Sequence, residues 1–187
     1  MSRRKEVLVK SLQDTNERVR AVAAEALERL ETRARVADLV KLIETGGKLE
    51  KLRGIYAVGS LRGKEITDLL IKAMTDEVED VRAAAVRVLG TFADSSVLPH
   101  LIERLKDESP IVERVAIEAL GNYRDPQLLG PLMQMLKSKD AGVVERAIDV
   151  VGRSGDKRAE EAMAYFAVKG NLDMRCLAIK SLGVMEG

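Results

Sequence analysis

The chain has 187 residues, of which 46% are hydrophobic and 33% charged, and a formal net charge of +1. That length holds one domain with a sizeable core or an elongated array, and the balanced charge gives no ground for a nucleic-acid partner or an acidic membrane surface. Aromatic residues make up 3% with no Trp, so closely stacked helices with an Ala, Val, Leu and Ile core are expected, and the single cysteine, Cys176, excludes an intrachain disulfide and fits a reducing, cytoplasmic compartment.

The chain opens on "MSRRKEVLVKSLQD", which has the positive flank of a signal peptide but no apolar core to follow it. No run approaches the ~18 apolar residues of a membrane span, so no membrane partner is expected. A pattern then begins and returns. Val19 is followed by Ala23, Ala26 and Leu27, with Glu28 next. A weaker copy starts at Leu52, with Tyr56, Gly59 and Ser60. Val81 is followed by Ala85, Val88, Leu89 and Gly90, and Val112 by Ala116, Ala119, Leu120 and Gly121. Val143 is followed by Ala147, Val150, Val151 and Gly152, and Met174 by Ala178, Ser181, Leu182 and Gly183. The anchors are spaced 33, 29, 31, 31 and 31 residues apart, which makes the repeat the organising feature.

The punctuation keeps the same period. Asn16, Ser109, Asp140 and Asn171 stand three residues before their anchors as helix N-caps, and Leu49 and Val78 stand there in the other two copies. A further helix is expected after each of Asp94, Asp125 and Asp156, and Pro110 and Pro126 follow caps at the first helical position. Each unit is thus read as two helices of about three turns, with approximate bounds 1–31, 32–62, 63–93, 94–124, 125–155 and 156–187 in a single domain. Pro131 falls inside a first helix and is expected to kink it. The Gly after each second helix is expected to take the left-handed conformation that ends it. Arg20, Arg53, Arg82 and Arg175 sit one residue after their anchors, and Asp14, Asp76 and Asp107 five before, which predicts a ladder of Arg to Asp and to loop carbonyls. Glu113 and Val144 break it. Unit two, with Gly46, Gly47, Gly54, Gly59 and Gly63, is expected to be the most mobile, because Gly weakens helices. Met174, Leu177, Leu182, Val184 and Met185 leave an apolar edge on the last helix, which predicts self-association there or a longer array.

A Val-Arg, then Ala, then Ala-Leu-Gly at these offsets resembles the HEAT-like repeats, of the short kind named after phycobilisome lyases. The resemblance implies an all-α, right-handed α-α superhelix (solenoid) of about six helix pairs. It also implies a scaffold that binds other proteins, although fold alone does not give function.

Catalytic sets are missing from the sequence. Some HEAT-like proteins hold a di-iron centre on His-Glu pairs; here the one histidine, His100, is followed by Leu101. Cys176 has no histidine near it in sequence, and "TGGK" at Thr45–Lys48 lacks the spacing of a phosphate loop. HEAT-like DNA glycosylases use aromatic residues and a basic groove, which this chain lacks, and no residue set to hold a bilin is evident. No metal or cofactor is therefore expected.

The remaining question is which side chains a groove would present. If second helices line the inner face, positions zero, four, five, seven and eight are buried, and positions two and six are left free. These offer Gly54, Val58 and Ala83 as an apolar first half. Arg87, Arg114, Glu118, Glu145, Arg146, Asp149 and Lys180 form a charged second half. An amphipathic helix or an extended peptide fits such a groove. The reading is a non-enzymatic scaffold or adaptor for a protein or peptide partner; the alternative is a lyase-like or regulatory subunit associated with an enzyme.

Overall fold

Ser, Asn and Asp at the expected cap positions start the helices as the sequence requires. Asn16, Ser109, Asp140 and Asn171 accept hydrogen bonds from the backbone N–H of Arg18, Ile111, Val143 and Met174. Asp94, Asp125 and Asp156 accept likewise from Ser96, Gln127 and Arg158. Each bond satisfies one orphan donor and is worth about 1 kcal/mol.

The computed structural model describes residues 3–185 and contains only helices among them. They are α1 (Arg3–Ser11), α2 (Glu17–Thr45), α3 (Lys48–Val58), α4 (Lys64–Ala73), α5 (Glu79–Gly90) and α6 (Leu98–Glu103). There follow α7 (Pro110–Leu120), α8 (Leu129–Met135), α9 (Ala141–Arg153), α10 (Glu160–Lys169) and α11 (Leu172–Leu182). Short 3-10 turns lead into α6, α8 and α10. Packing divides the chain into two compact units, one ending at Val58 and one beginning at Gly59.

In the first unit α1 and α3 both pack on α2. α2 is one helix of 29 residues, running through the boundary expected near residue 31. The segment "ALERLETRARVADLVKLIE" explains this. It has Glu28 where four of the other copies have Gly, it contains no Pro, and most of its residues are good helix formers. With nothing to stop the helix, the hydrogen-bond ladder continues. The unit is thinly cored: α1 buries no residue, α2 buries Ala23 and Ile43, and α3 buries Gly54, Ile55 and Val58.

In the second unit α4 pairs with α5, α6 with α7, α8 with α9, and α10 with α11. The second helices also pack on one another in series, α5 on α7, α7 on α9 and α9 on α11. The anchors Val81, Val112 and Val143 are fully buried, as are Ala85, Ala116 and Ala147 four residues on. Leu89, Leu120 and Val151 complete the stripe. Burying a Val or Leu side chain contributes about 1.5–3 kcal/mol.

Two expectations about backbone devices are corrected. The glycines that end the second helices are not left-handed: Gly121 has φ −63° and Gly183 φ −73°, and positive φ among glycines occurs at Gly63 and Gly155. Their role is close approach. A Cβ on Gly90 would stand 2.6 Å from that of Ala119, and one on Gly121 would stand 3.0 Å from Val150 Cγ1. A Cβ on Gly152 would collide with Ser181. The Gly at position nine of α5, α7 and α9 is thus a notch for the side chain at position seven of the next second helix. Pro131, for its part, does not kink a helix. The change from 3-10 to α geometry falls at Leu129, which places Pro131 in the first turn of α8, where no N–H is needed.

A candidate binding face on the second helices

The expected apolar half of the groove is core. Val58 is fully buried, and Ala83 is 7% exposed. Gly54 is buried because α3 lies directly on α2: a Cβ there would stand 2.6 Å from Ile43 Cγ1 and 3.3 Å from the Leu39 carbonyl oxygen. The register in α3 is one residue earlier than the Leu52 anchor implies. Ile55 fills the inward place and Tyr56 is 56% exposed. The uneven spacings of 33 and 29 carried that signal; taking Lys51 as the anchor turns them into 32 and 30. Ala83 is buried for another reason. α5 packs on both α4 and α7, so of residues Val81–Gly90 only Arg87 is exposed.

The charged half lies outside the core of the second unit. Arg87, Glu118 and Lys180 are exposed on α5, α7 and α11, and Arg114, Glu145, Arg146 and Asp149 are half-buried. Several of these groups are engaged within the protein. Glu145 Oε1 accepts a hydrogen bond from Asn171 Nδ2 at 3.0 Å, across α9 and α11. Asp149 lies 3.8 Å from the Arg146 guanidinium and 3.3 Å from that of Arg153. Arg114 lies along the start of α9, so close that a Cβ on Gly142 would stand 2.6 Å from its Nη1. Among the described residues Arg87, Glu118 and Lys180 are held by no ion pair or side-chain hydrogen bond.

A second polar feature is the seam at the helix N-termini. Arg82, 5% exposed, donates from Nε and Nη2 to the Asp107 carboxylate at 3.0 and 2.8 Å, and from Nη1 to the carbonyls of Asp76 and Glu77. Its hydrogen bond to Asp107, and then their charge attraction, raise the Arg82 pKa above the ordinary value, against the opposing effect of burial. Arg104 approaches the same carboxylate at 3.5 Å. Arg20 reaches the carbonyls of Asp14 and Thr15 in the same way. The recurring aspartates have a local job that the sequence reading missed. Asp14, Asp76 and Asp107 each accept from the backbone N–H two residues on, at Asn16, Val78 and Ser109; this is the Asx turn that fixes entry into the helix. Ser138 does the same for Asp140. At Glu113, where an Arg would stand, burial and then the charges of Asp140 and Asp107 raise the carboxyl pKa.

A cleft of about 580 Å3 opens between the turns that follow α7 and α9. Leu120, Leu128, Leu129 and Val150 form its apolar side, and Tyr123, Arg124, Arg153 and Ser154 are among its polar groups. Phe92 and Tyr123 stand 31 residues apart in successive turns, and Ser154 takes the next such position without a ring. The Tyr123 hydroxyl is buried with no well-aligned hydrogen-bond partner among the described residues; burial, followed by the Asp94 charge, raises its pKa, against a weaker opposing effect of the Asp94 backbone. At the rim, hydrogen bonds from the Arg158 side chain and backbone lower the Asp156 pKa to about 2.

His100 is half-buried on α6 and Cys176 is exposed on α11. Among the described residues no group of three or more His, Cys, Asp and Glu side chains is arranged to hold a metal ion, and no helix is long and apolar enough to cross a membrane.

Comparison with solved structures shows the same kind of fold. A designed armadillo repeat protein in complex with peptide (KR)4 superposes with a TM-score of 0.62 at 16% identity, over 99% of this chain and 100% of that one. A second designed armadillo repeat protein superposes with a TM-score of 0.57 at 16% identity, over 96% and 99%. The complex of CpcE and CpcF of phycocyanin lyase from Nostoc sp. PCC7120 gives a TM-score of 0.54 at 21% identity, over 97% of this chain and 76% of that one. At these identities the likeness is one of fold alone: an all-helical repeat fold of the armadillo and HEAT solenoid type. No curated protein matches the chain significantly. The family profile for HEAT repeats matches residues 48–110 and 98–183, and a further single-repeat profile matches residues 6–32. With most of its length matched, the chain belongs to the HEAT repeat family.

Proposed function

We propose that the chain is a non-enzymatic scaffold for a protein or peptide partner, which lies across α5, α7, α9 and α11. The observation that carries this reading is the row of charged side chains on second helices packed in series. Arg87, Glu118 and Lys180 stand outside the core with no ion pair or side-chain hydrogen bond among the described residues, and Arg114 flanks them. Second helices packed in series offer such positions unit after unit, and the designed armadillo neighbour is in complex with peptide (KR)4. The apolar first half drops out of the site, so the partner is expected to be recognised by charge along its length and not by one large apolar anchor. Neither nucleic acid nor a membrane is proposed as partner.

The test is affinity capture from native lysate, with the purified chain and a variant carrying Arg87→Glu, Arg114→Glu and Glu118→Lys as baits. A protein retained by the native chain and lost by the variant, at equal thermal stability, supports the site. Equal retention by both moves the site off this face. The alternative, a subunit associated with a lyase-type enzyme, draws on the cleft beside Tyr123 and Arg124. Recovery of a small-molecule or coloured ligand with no protein would favour it and overturn the scaffold.

A further inference from the structure

The second unit contains a repeating docking device, and its last copy is unoccupied among the described residues. In α5, α7 and α9 the apolar residue at position five, Val86, Ile117 or Ile148, is fully buried. The Gly at position nine of each, Gly90, Gly121 or Gly152, receives the side chain at position seven of the next second helix. α11 carries the same parts. Yet Ile179 is 56% exposed, and a Cβ built on Gly183 would have only carbonyl oxygens of its own helix nearby, at 3.5 and 3.8 Å. On three preceding helices the glycine of this pair meets a following second helix and the position-five residue is fully buried, which points to a second helix as the complement of this surface. It is the face that a second helix turns toward the preceding unit, with its position-seven residue, Ala119, Val150 or Ser181 in the copies seen, at the notch.

The first unit presents such a face. On α2 the residue at position seven is Ala26, matching Ala119, Val150 and Ser181 in the register. Val19 is 40% and Val22 59% exposed. Together with Leu8, Ala23 and Ala26 they border a shallow groove of about 400 Å3 with mostly apolar walls. We infer that the outer face of α2 in one molecule docks on α11 of a second copy. Ala26 then seats at Gly183, and the Val19–Val22 strip covers Ile179, continuing the α5–α7–α9–α11 stack from one molecule to the next. The contact is head-to-tail: it uses different patches on the two partners and leaves one of each open to a further copy. It is independent of the scaffold reading, whose charged row uses other side chains.

Sedimentation velocity on the full chain tests this, with Val22→Glu as the blocked head and Ile179→Glu as the blocked tail. Both positions are exposed, and equal thermal melts would confirm that both variants fold. The native chain is expected to show mass rising with concentration past the dimer. Each variant alone is expected to stay at monomer mass. Their equimolar mixture is expected to stop at twice the monomer mass, since one intact head meets one intact tail. A native chain that stays monomeric at every concentration overturns the inference. So does a Val22→Glu variant that still dimerises while Ile179→Glu does not, because that pattern marks a tail-to-tail contact.

Discussion

At the scale of single residues, the physics turns on two positions where size and charge leave no slack. Gly90 is the clearer one. Ala is the better helix former by about 1 kcal/mol, so propensity alone predicts a gain for Gly90→Ala. The added methyl would, however, stand 2.6 Å from Ala119 Cβ and 3.0 Å from its Cα, a backbone atom that cannot turn aside. Overpacking of this kind costs about 1–3 kcal/mol, and a net loss of stability is expected in urea denaturation. Gly183→Ala, with only ordinary contacts around it, is expected to be neutral or slightly stabilising at low protein concentration. Equal stability of the two variants would show that the notch is not needed. Arg82 is the second position. Its guanidinium and the Asp107 carboxylate are 6% and 3% exposed, so removing either deprives the other of its closest charge partner in a site shielded from water. Arg82→Ala is expected to cost about 3–5 kcal/mol. In a double-mutant cycle, Arg82→Met with Asp107→Leu is expected to lose less than the sum of the single changes by about 1–3 kcal/mol. Strict additivity would mean that the two groups act separately.

At the scale of elements, α2 shows how a repeat can be written in one pattern and folded in another. Its apolar positions keep the helical period, but the stop between the two predicted helices is missing, and an uninterrupted run of good helix formers stays helical. A proline tests this. At Ala34, in a loop between two helices, proline would be tolerated. In the middle of α2 it removes a hydrogen bond and clashes with the preceding turn, at a cost of about 3 kcal/mol. Ala34→Pro is therefore expected to reduce both helical circular dichroism and melting temperature, and an unchanged melt would place a loop there after all. The short helices follow the opposite rule. α6 and α8 carry Pro99 and Pro131 in their first turns, where proline's missing donor is harmless.

At the scale of the whole molecule, burial is uneven. α1 buries no residue and α2 buries two of its 29, whereas in α5 nine of twelve residues are buried. Exchange protection follows local burial, so amides of α1 and the first half of α2 are expected to exchange fastest in hydrogen–deuterium exchange, and those of α5, α7 and α9 slowest. This ordering differs from the one that glycine content suggests. The sequence repeat at 32–62 has many glycines, but Gly54 is set tightly against Ile43 and shares the buried side of α3 with Ile55 and Val58. Faster exchange in α3 than in α1 would restore the simpler view of glycine as a source of mobility.

The sequence by itself determined the helix pairs of the second unit, their caps, their inward stripe and the family. All of these rest on local rules: a 31-residue period, Asp, Asn or Ser before a helix, and small apolar residues three and four apart. It also contained the Arg82–Asp107 contact, because both partners recur at fixed offsets. Only the tertiary structure decided what the recurring glycines are for, since an ordinary right-handed φ at Gly121 acquires its meaning from Val150 on another helix. Only the tertiary structure showed that Gly54, Val58 and Ala83 are core and that the charged positions stand outside it. Exposure is a property of neighbours, and a neighbour 25 or 30 residues away leaves no mark on the local pattern that an alternation of apolar and polar residues can register.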